Sequence, residues 1–225
     1  MTALLGFAIL TGSRAEVELG KLFKNEAHKG GWARFRVQGQ TFELGGWKLF
    51  AGGEAATLTR EGQGFVQFAP RTADYKGFIG VKKGSWGLLW DHSCLHAVDT
   101  PPADFHYWNK VGPFFQNDSV FAALSFYIHD KTREWLAHGP DYTADLTVKY
   151  WGRVKGVYIG FWSFLAASLN WRKLYAGAQL ELGALWSRKR RHLALFLGWR
   201  PFDRKCHRNV EAWMLGLRYW FVEEG

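Results

Sequence analysis

The sequence predicts an all-β fold, an antiparallel up-and-down transmembrane β-barrel of about 12 strands, with about 10 or 14 as the neighbouring even counts. Three observations predict it. Apolar residues recur at every second position in segment after segment, the period of a strand with one greasy face. Aromatic residues form 17% of the 225-residue chain and Gly outnumbers Pro by 26 to 6, a bias toward strands and turns. The chain is nevertheless slightly hydrophilic on average, and it lacks any apolar run of the about 18 residues that mark a membrane helix. Strands whose residues face lipid and a polar lumen in alternation produce that combination.

The elements follow in order along the chain. Residues 3–10 are apolar, and Ser13, Arg14 and Ala15 then form a small-x-small pattern. Residues 1–15 therefore read either as the remnant of a secretory signal or as a first strand. Residues 16–225 read as one barrel domain. Ala33, Phe35 and Val37 alternate with Trp32, Arg34 and Arg36, and Trp86, Leu88 and Trp90 share a face. Residues 104–110 must form a strand if the up-down alternation is to hold. Leu124, Phe126 and Ile128 continue the pattern, followed by Leu146, Val148 and Tyr150, then Val157, Ile159 and Phe161. Leu174, Ala176, Ala178, Leu180 and Leu182 alternate with Tyr175, Gly177, Gln179, Glu181 and Gly183. Leu193, Leu195, Leu197 and Trp199 form the next stripe. The clearest stripe is the last: Trp213, Leu215, Leu217, Tyr219 and Phe221, with Gly216 and Arg218 between them.

Short turns are expected at 37–40, 61–64, 82–85, 151–153 and 187–191. Longer connections are expected near 71–75, 93–103, 130–142 and 201–210, with a short loop helix over 131–138. Barrels of this kind pair short periplasmic turns with longer external loops. A last strand descending to the periplasm then puts 92–103 and 130–142 outside and 187–191 inside. Trp90, Tyr150, Trp151, Trp199, Tyr219 and Phe221 lie near strand ends, where an interfacial girdle belongs. Arg34, Arg36, Lys149, Gln179, Glu181, Arg200 and Arg218 are assigned to the lumen. A barrel of this size can be filled by its own side chains, so charge pairing within a closed lumen is favoured over an anion-selective channel.

Net charge is +9. The basic residues are scattered over strand ends and turns, and no nucleic-acid module signature is present, so anionic headgroups are the better partners. Cys94 and Cys206 permit at most one disulfide. No cofactor is implied: the chain has no Gly-rich phosphate loop, Cys-x-x-Cys pair, His-Glu-x-x-His helix or Gly-x-Ser-x-Gly elbow.

The alternating final strands and the aromatic close Arg218, Tyr219, Trp220 and Phe221 resemble Gram-negative outer-membrane β-barrel proteins. The resemblance implies a bacterial outer-membrane location and contact with membrane lipids or lipopolysaccharide; the chain is expected to be monomeric. A narrower resemblance rests on His92, Ser93, Cys94, Leu95 and His96 at the outer end of a strand, which look like the His/Ser sites of outer-membrane lipid A deacylases. It implies an acyl-ester hydrolase with His92 as base and Ser93 or a water as nucleophile; Asp91 and Asp99 are the local acidic candidates.

The candidate catalytic set is thus His92, Ser93, His96 and Asp99. Ester hydrolysis requires nucleophile and base within hydrogen-bond reach. Adjacent strand residues point to opposite faces, so His92 reaches Ser93 only if the strand ends there. His92 and His96 meeting across a turn with Asp99 would instead resemble a metal site, and a polar loop rim is the non-functional alternative. His106, His129, His138, His192 and His207 are dispersed, without metal-ligand spacing. Arg188, Lys189, Arg190 and Arg191, the densest charge run, are candidates for binding lipid headgroups or simply a solvated hairpin. Three readings stay open: an outer-membrane barrel without assigned activity, an outer-membrane lipid hydrolase, and a soluble barrel holding a hydrophobic ligand. The last requires the Trp213–Phe221 stripe to face inward.

Overall fold

The computed structural model describes residues 11–23, 30–61, 68–97, 105–128, 142–169, 172–203 and 212–222. They form twelve strands: β1 (Thr11–Phe23), β2 (Gly30–Leu44), β3 (Trp47–Glu61), β4 (Phe68–Lys83), β5 (Trp86–Ala97), β6 (Phe105–Gln116), β7 (Val120–Ile128), β8 (Ala144–Val154), β9 (Val157–Ser168), β10 (Lys173–Arg188), β11 (Arg191–Asp203) and β12 (Ala212–Val222). Each pairs antiparallel with its sequence neighbour. The barrel closes where β1 meets β12, in a register running from Arg14 opposite Val222 to Phe23 opposite Trp213. Closure leaves no sheet edge unpaired, which the hydrocarbon core of a bilayer demands.

Five connections are tight and lie at one end: 45–46, 84–85, 117–119, 155–156 and 189–190. Two of them need left-handed backbone at both positions, Gly45 and Gly46 at φ 59° and 79°, and Lys155 and Gly156 at φ 48° and 91°. That is the twist of a two-residue hairpin turn matched to twisted strands. The intervals joining the other strand ends are longer and fall at the opposite end. By the rule for such barrels, the tight turns are periplasmic and the long connections external.

The direction of the stripes decides between lipid and ligand. Trp213, Leu215, Leu217 and Tyr219 are 41%, 47%, 42% and 37% exposed on the outside of the barrel, whereas Met214 and Trp220 between them are 1% and 4% exposed. Leu195, Leu197 and Trp199 on β11 and Leu180 and Leu182 on β10 also face outward. An apolar belt of this extent around a closed barrel is a lipid-facing surface. The soluble, ligand-carrying reading is overturned by this orientation.

Inside, aromatic side chains fill both ends. Tyr158, Phe196, Met214 and Trp220 pack on one wall, and Phe50, Phe78, Phe114 and Phe121 on the facing wall, with Trp151 touching both groups. A third cluster of Trp108, Tyr142, Phe164 and Tyr175 gathers nearer the external end. Trp151, assigned by sequence to the girdle, is therefore a lumenal residue, two positions along β8 from the lumenal Lys149.

Several expected connections are strand instead. Residues 37–40 continue β2, 71–75 lie within β4, and 151–153 lie within β8, whose turn comes at 155–156. Strand β5 continues through Ala97 and β11 through Asp203. The physical reason is shared. These strands run up to 16 residues, beyond the about 9–11 that a span requires, and their lumen-facing polar residues look like loop composition. Residues 11–15 belong to β1. The loop helix expected over 131–138 lies outside the described residues.

Candidate functional site

Strand β5 carries two faces of different chemistry. Leu89, Asp91 and Ser93 point inward, and Trp86, Leu88 and Trp90 point outward. Period two continues the outward series through His92, Cys94 and His96, toward the external end. Polar and ionisable groups at this level of a greasy surface are costly to place, which makes them the candidate site on the outer face.

The antiparallel register supplies the neighbours. His92 lies opposite Asn109 on β6 and Gly77 on β4, and Cys94 lies opposite Tyr107 and Tyr75. His92 Nδ1 is 3.0 Å from Asn109 Oδ1. With Nδ1–H donating to that carbonyl oxygen, Nε2 is the basic nitrogen of His92. The Cys94 thiol lies 2.8 Å from His96 Nε2. Tyr75 packs edge-on against the His96 ring at 5.8 Å between centroids, and Tyr107 lies 5.9 Å from that of His92. The two imidazoles are thus each fixed by a polar contact and an aromatic wall. Gly77, directly across from His92, has open space where a side chain would stand, so the surface beside the imidazole is uncovered.

The sequence-derived set divides accordingly. His92 and His96 share the outward face. Ser93 does not join them: it faces the lumen, where its hydroxyl donates to Asp91 Oδ1 at 3.1 Å. Strand parity continues through Ser93, so the strand end that would have let it approach His92 is absent. Asp91 is likewise lumenal, bound by Lys76 at 2.9 Å and Lys110 at 3.7 Å. Asp99 lies outside the described residues. No group of three or more His, Cys, Asp or Glu able to hold a metal occurs among the described residues. Sequence reasoning missed Asn109 and gave Cys94 only a disulfide role; Cys94 is a free thiol, and Cys206 lies outside the described residues. The spacing carried one usable signal, since His92, Cys94 and His96 at alternate positions must share a face. Asn109 needed the β5–β6 register.

The lumen is a second polar system. Arg218 reaches Glu18 Oε2 at 2.9 Å and Glu181 Oε2 at 2.8 Å and takes the Tyr158 hydroxyl as a further acceptor. Arg34 pairs with Glu16 and Glu18, Lys110 with Asp145, and Arg200 donates to Gln179. Arg34, Arg36, Lys149, Gln179, Glu181, Arg200 and Arg218 all line this interior. Arg188, Lys189, Arg190 and Arg191 form the β10–β11 hairpin at the periplasmic end, all exposed, with Arg188 paired across from Arg191.

No known protein family and no curated protein matches the sequence. Among solved structures the fold is similar to that of outer membrane phospholipase A from Escherichia coli, with a TM-score of 0.57 at 10% identity over 96% of this chain and 92% of that one. An active-site asparagine-to-alanine variant of the same enzyme, at pH 6.1, gives a TM-score of 0.58 at 10% identity over 96% and 92%. The Salmonella typhi outer membrane phospholipase, a dimer with bound calcium, gives 0.56 at 10% identity over 96% and 93%. Closed topology, an outward apolar belt and this shared architecture lead to one conclusion: the chain is a twelve-stranded transmembrane β-barrel of the bacterial outer membrane.

Proposed function

We propose that the chain is an acyl-ester hydrolase acting on lipids of the external leaflet, with Cys94 as nucleophile and His96 as its general base. The observation that carries this reading is the 2.8 Å contact between Cys94 Sγ and His96 Nε2 on the lipid-facing wall. His96 takes the thiol proton, and the thiolate sulfur attacks the ester carbonyl carbon. The leaving alkoxide then collects that proton from His96 and departs as an alcohol, leaving a thioester on Cys94. Water then attacks the thioester carbonyl as its proton passes to His92 Nε2, whose ring is oriented by Asn109; the C–S bond breaks, the fatty acid is released, and the Cys94 thiolate takes the proton back from the imidazolium. The uncovered outer surface at Gly77 suits a substrate arriving from the bilayer. The structures of similar fold include outer membrane phospholipases, one of them altered at an active-site asparagine, which supports the reaction class.

Either glycerophospholipid or lipid A offers the required acyl ester at that leaflet, and the barrel is proposed to work as a monomer. The Arg188–Arg191 hairpin is proposed to hold phospholipid headgroups of the inner leaflet, at about 1 kcal/mol per basic residue. The test is fatty-acid release from each lipid in mixed micelles by the refolded chain and by Cys94→Ala, His96→Ala and Ser93→Ala. Loss in the first two with retention in the third is expected. Full activity of Cys94→Ala would remove the thiol mechanism, and no release from either lipid would remove the enzyme reading.

A further inference from the structure

We infer that the interior of the barrel holds a binding site for a small oxyanion of the phosphate class, separate from the outward-facing cysteine and histidines. The cavity there has a volume of about 400 Å³, ample for one such ion with water. Its wall carries eight basic and seven acidic side chains, but they are unevenly matched. The carboxylates of Glu16, Glu18 and Glu181 are taken up by Arg34 and Arg218, and those of Asp91 and Asp145 by Lys76 and Lys110. Arg14, Arg36 and Lys149 form no ion pair among the described residues. Arg36 faces Glu54 across the β2–β3 ladder and Glu16 across the β1–β2 ladder, but Glu16 is already held by Arg34.

These three cations converge. Arg36 lies 6.0 Å from the centre of the Phe121 ring, and Phe121 pairs directly with Lys149 across β7 and β8. Arg14 stacks over Trp151 at 4.5 Å, two residues further along the same strand as Lys149. Buried donors point the same way. The Nε–H groups of Arg34 and Arg36 and the indole N–H of Trp151 have no hydrogen-bond acceptor among the described residues. The aromatic walls around Trp151 exclude bulk solvent from one side. Cations and N–H donors placed in such surroundings are costly without countercharge and acceptors. A single oxyanion supplies both, because each of its oxygens accepts several charge-assisted bonds.

The experiment uses the whole chain folded in maltoside micelles, with inorganic phosphate as probe. Saturable binding of about one phosphate per chain is expected by radiolabel retention, with a rise in Tm that equal ionic strength of chloride does not reproduce. Arg36→Gln and Lys149→Gln should each weaken binding about tenfold or more, whereas Glu54→Gln, which removes the facing carboxylate that no Arg or Lys holds in an ion pair, should tighten it. Heat-modifiable gel mobility confirms that each variant is folded. An Arg188→Gln/Arg191→Gln variant controls for the exposed hairpin and should bind as the parent does. Absence of saturable binding by the folded parent would overturn the inference. Binding lost in the hairpin variant and retained in Arg36→Gln and Lys149→Gln would overturn it equally, by placing the ion on the periplasmic surface.

Discussion

Glu18 and Arg218, separated by 200 residues in the chain, meet at 2.9 Å across the seam that closes the barrel. Each lies on one of the two strands that must find each other last, β1 and β12. Arg218 also reaches Glu181 on β10, and Glu18 accepts from the Trp32 indole on β2 at 2.7 Å. The pair therefore ties four strands around the point of closure.

Removing one partner should be far worse than removing the charges together. Arg218→Met leaves buried Glu181 without a cation and Glu18 with Arg34 alone, and the expected loss is about 3–5 kcal/mol. Combining it with Glu18→Gln and Glu181→Gln should recover part of that. Urea-induced unfolding in micelles, followed by loss of heat-modifiable mobility, measures both.

The outward stripe of β12 predicts a dependence on depth. Leu217 lies in the middle of the strand and Phe221 near its periplasmic end. Leu217→Arg should cost about 2–4 kcal/mol of folding free energy in bilayers, and Phe221→Arg about 0–1 kcal/mol. Equal costs would mean that the belt is not centred where the strand places it.

Close packing in the lumen predicts which glycines tolerate a side chain. A Cβ on Gly20 would lie 2.0 Å from the Trp32 ring, whereas one on Gly77 meets open space. Gly20→Ala should displace Trp32 from Glu18 and destabilise by about 1–3 kcal/mol, and Gly77→Ala should change stability by no more than about 0.5 kcal/mol. Gly77→Trp, by covering His92, should instead raise KM for a lipid substrate without unfolding the barrel.

Orientation of His92 is open to direct test. Asn109→Ala should lower acyl release about 10- to 100-fold, since a misaligned ring loses its productive geometry. Asn109→Asp, which keeps an acceptor for Nδ1–H, should restore part of the rate. In a Cys206→Ser background, a membrane-soluble maleimide should label Cys94, and labelling should abolish release. A chain that is fully labelled and fully active would rule out the thiol as nucleophile.

Much of this architecture was legible in the residue order. Period two in Trp213, Leu215, Leu217 and Tyr219, and the need for a strand over 104–110, pointed to a barrel of about twelve strands, the number the structure has. Boundaries were less legible. Residues 71–75 read as a loop because their composition is polar, but Asp74 among them lines the lumen, and a strand bordering a polar lumen carries such residues as a matter of course.

The candidate cluster on β5 was legible only in part. His92 and His96 stood out by type, but the partner of His92 is Asn109, seventeen residues further on across a hairpin, and no local spacing announces a cross-strand pair. Ser93 drew interest by adjacency, which in a strand is the one relation that keeps side chains apart.

The order of residues by itself determined the alternation, and with it which side chains meet lipid and which meet the lumen, because a strand's two faces follow from backbone geometry alone. Only the closed tertiary structure decided which lumenal charges form close ion pairs and which, such as Arg36 and Lys149, do not among the described residues, and which thiol meets which imidazole. Those outcomes depend on register and on the meeting of β1 with β12, set by packing summed over the whole barrel rather than by any segment of it.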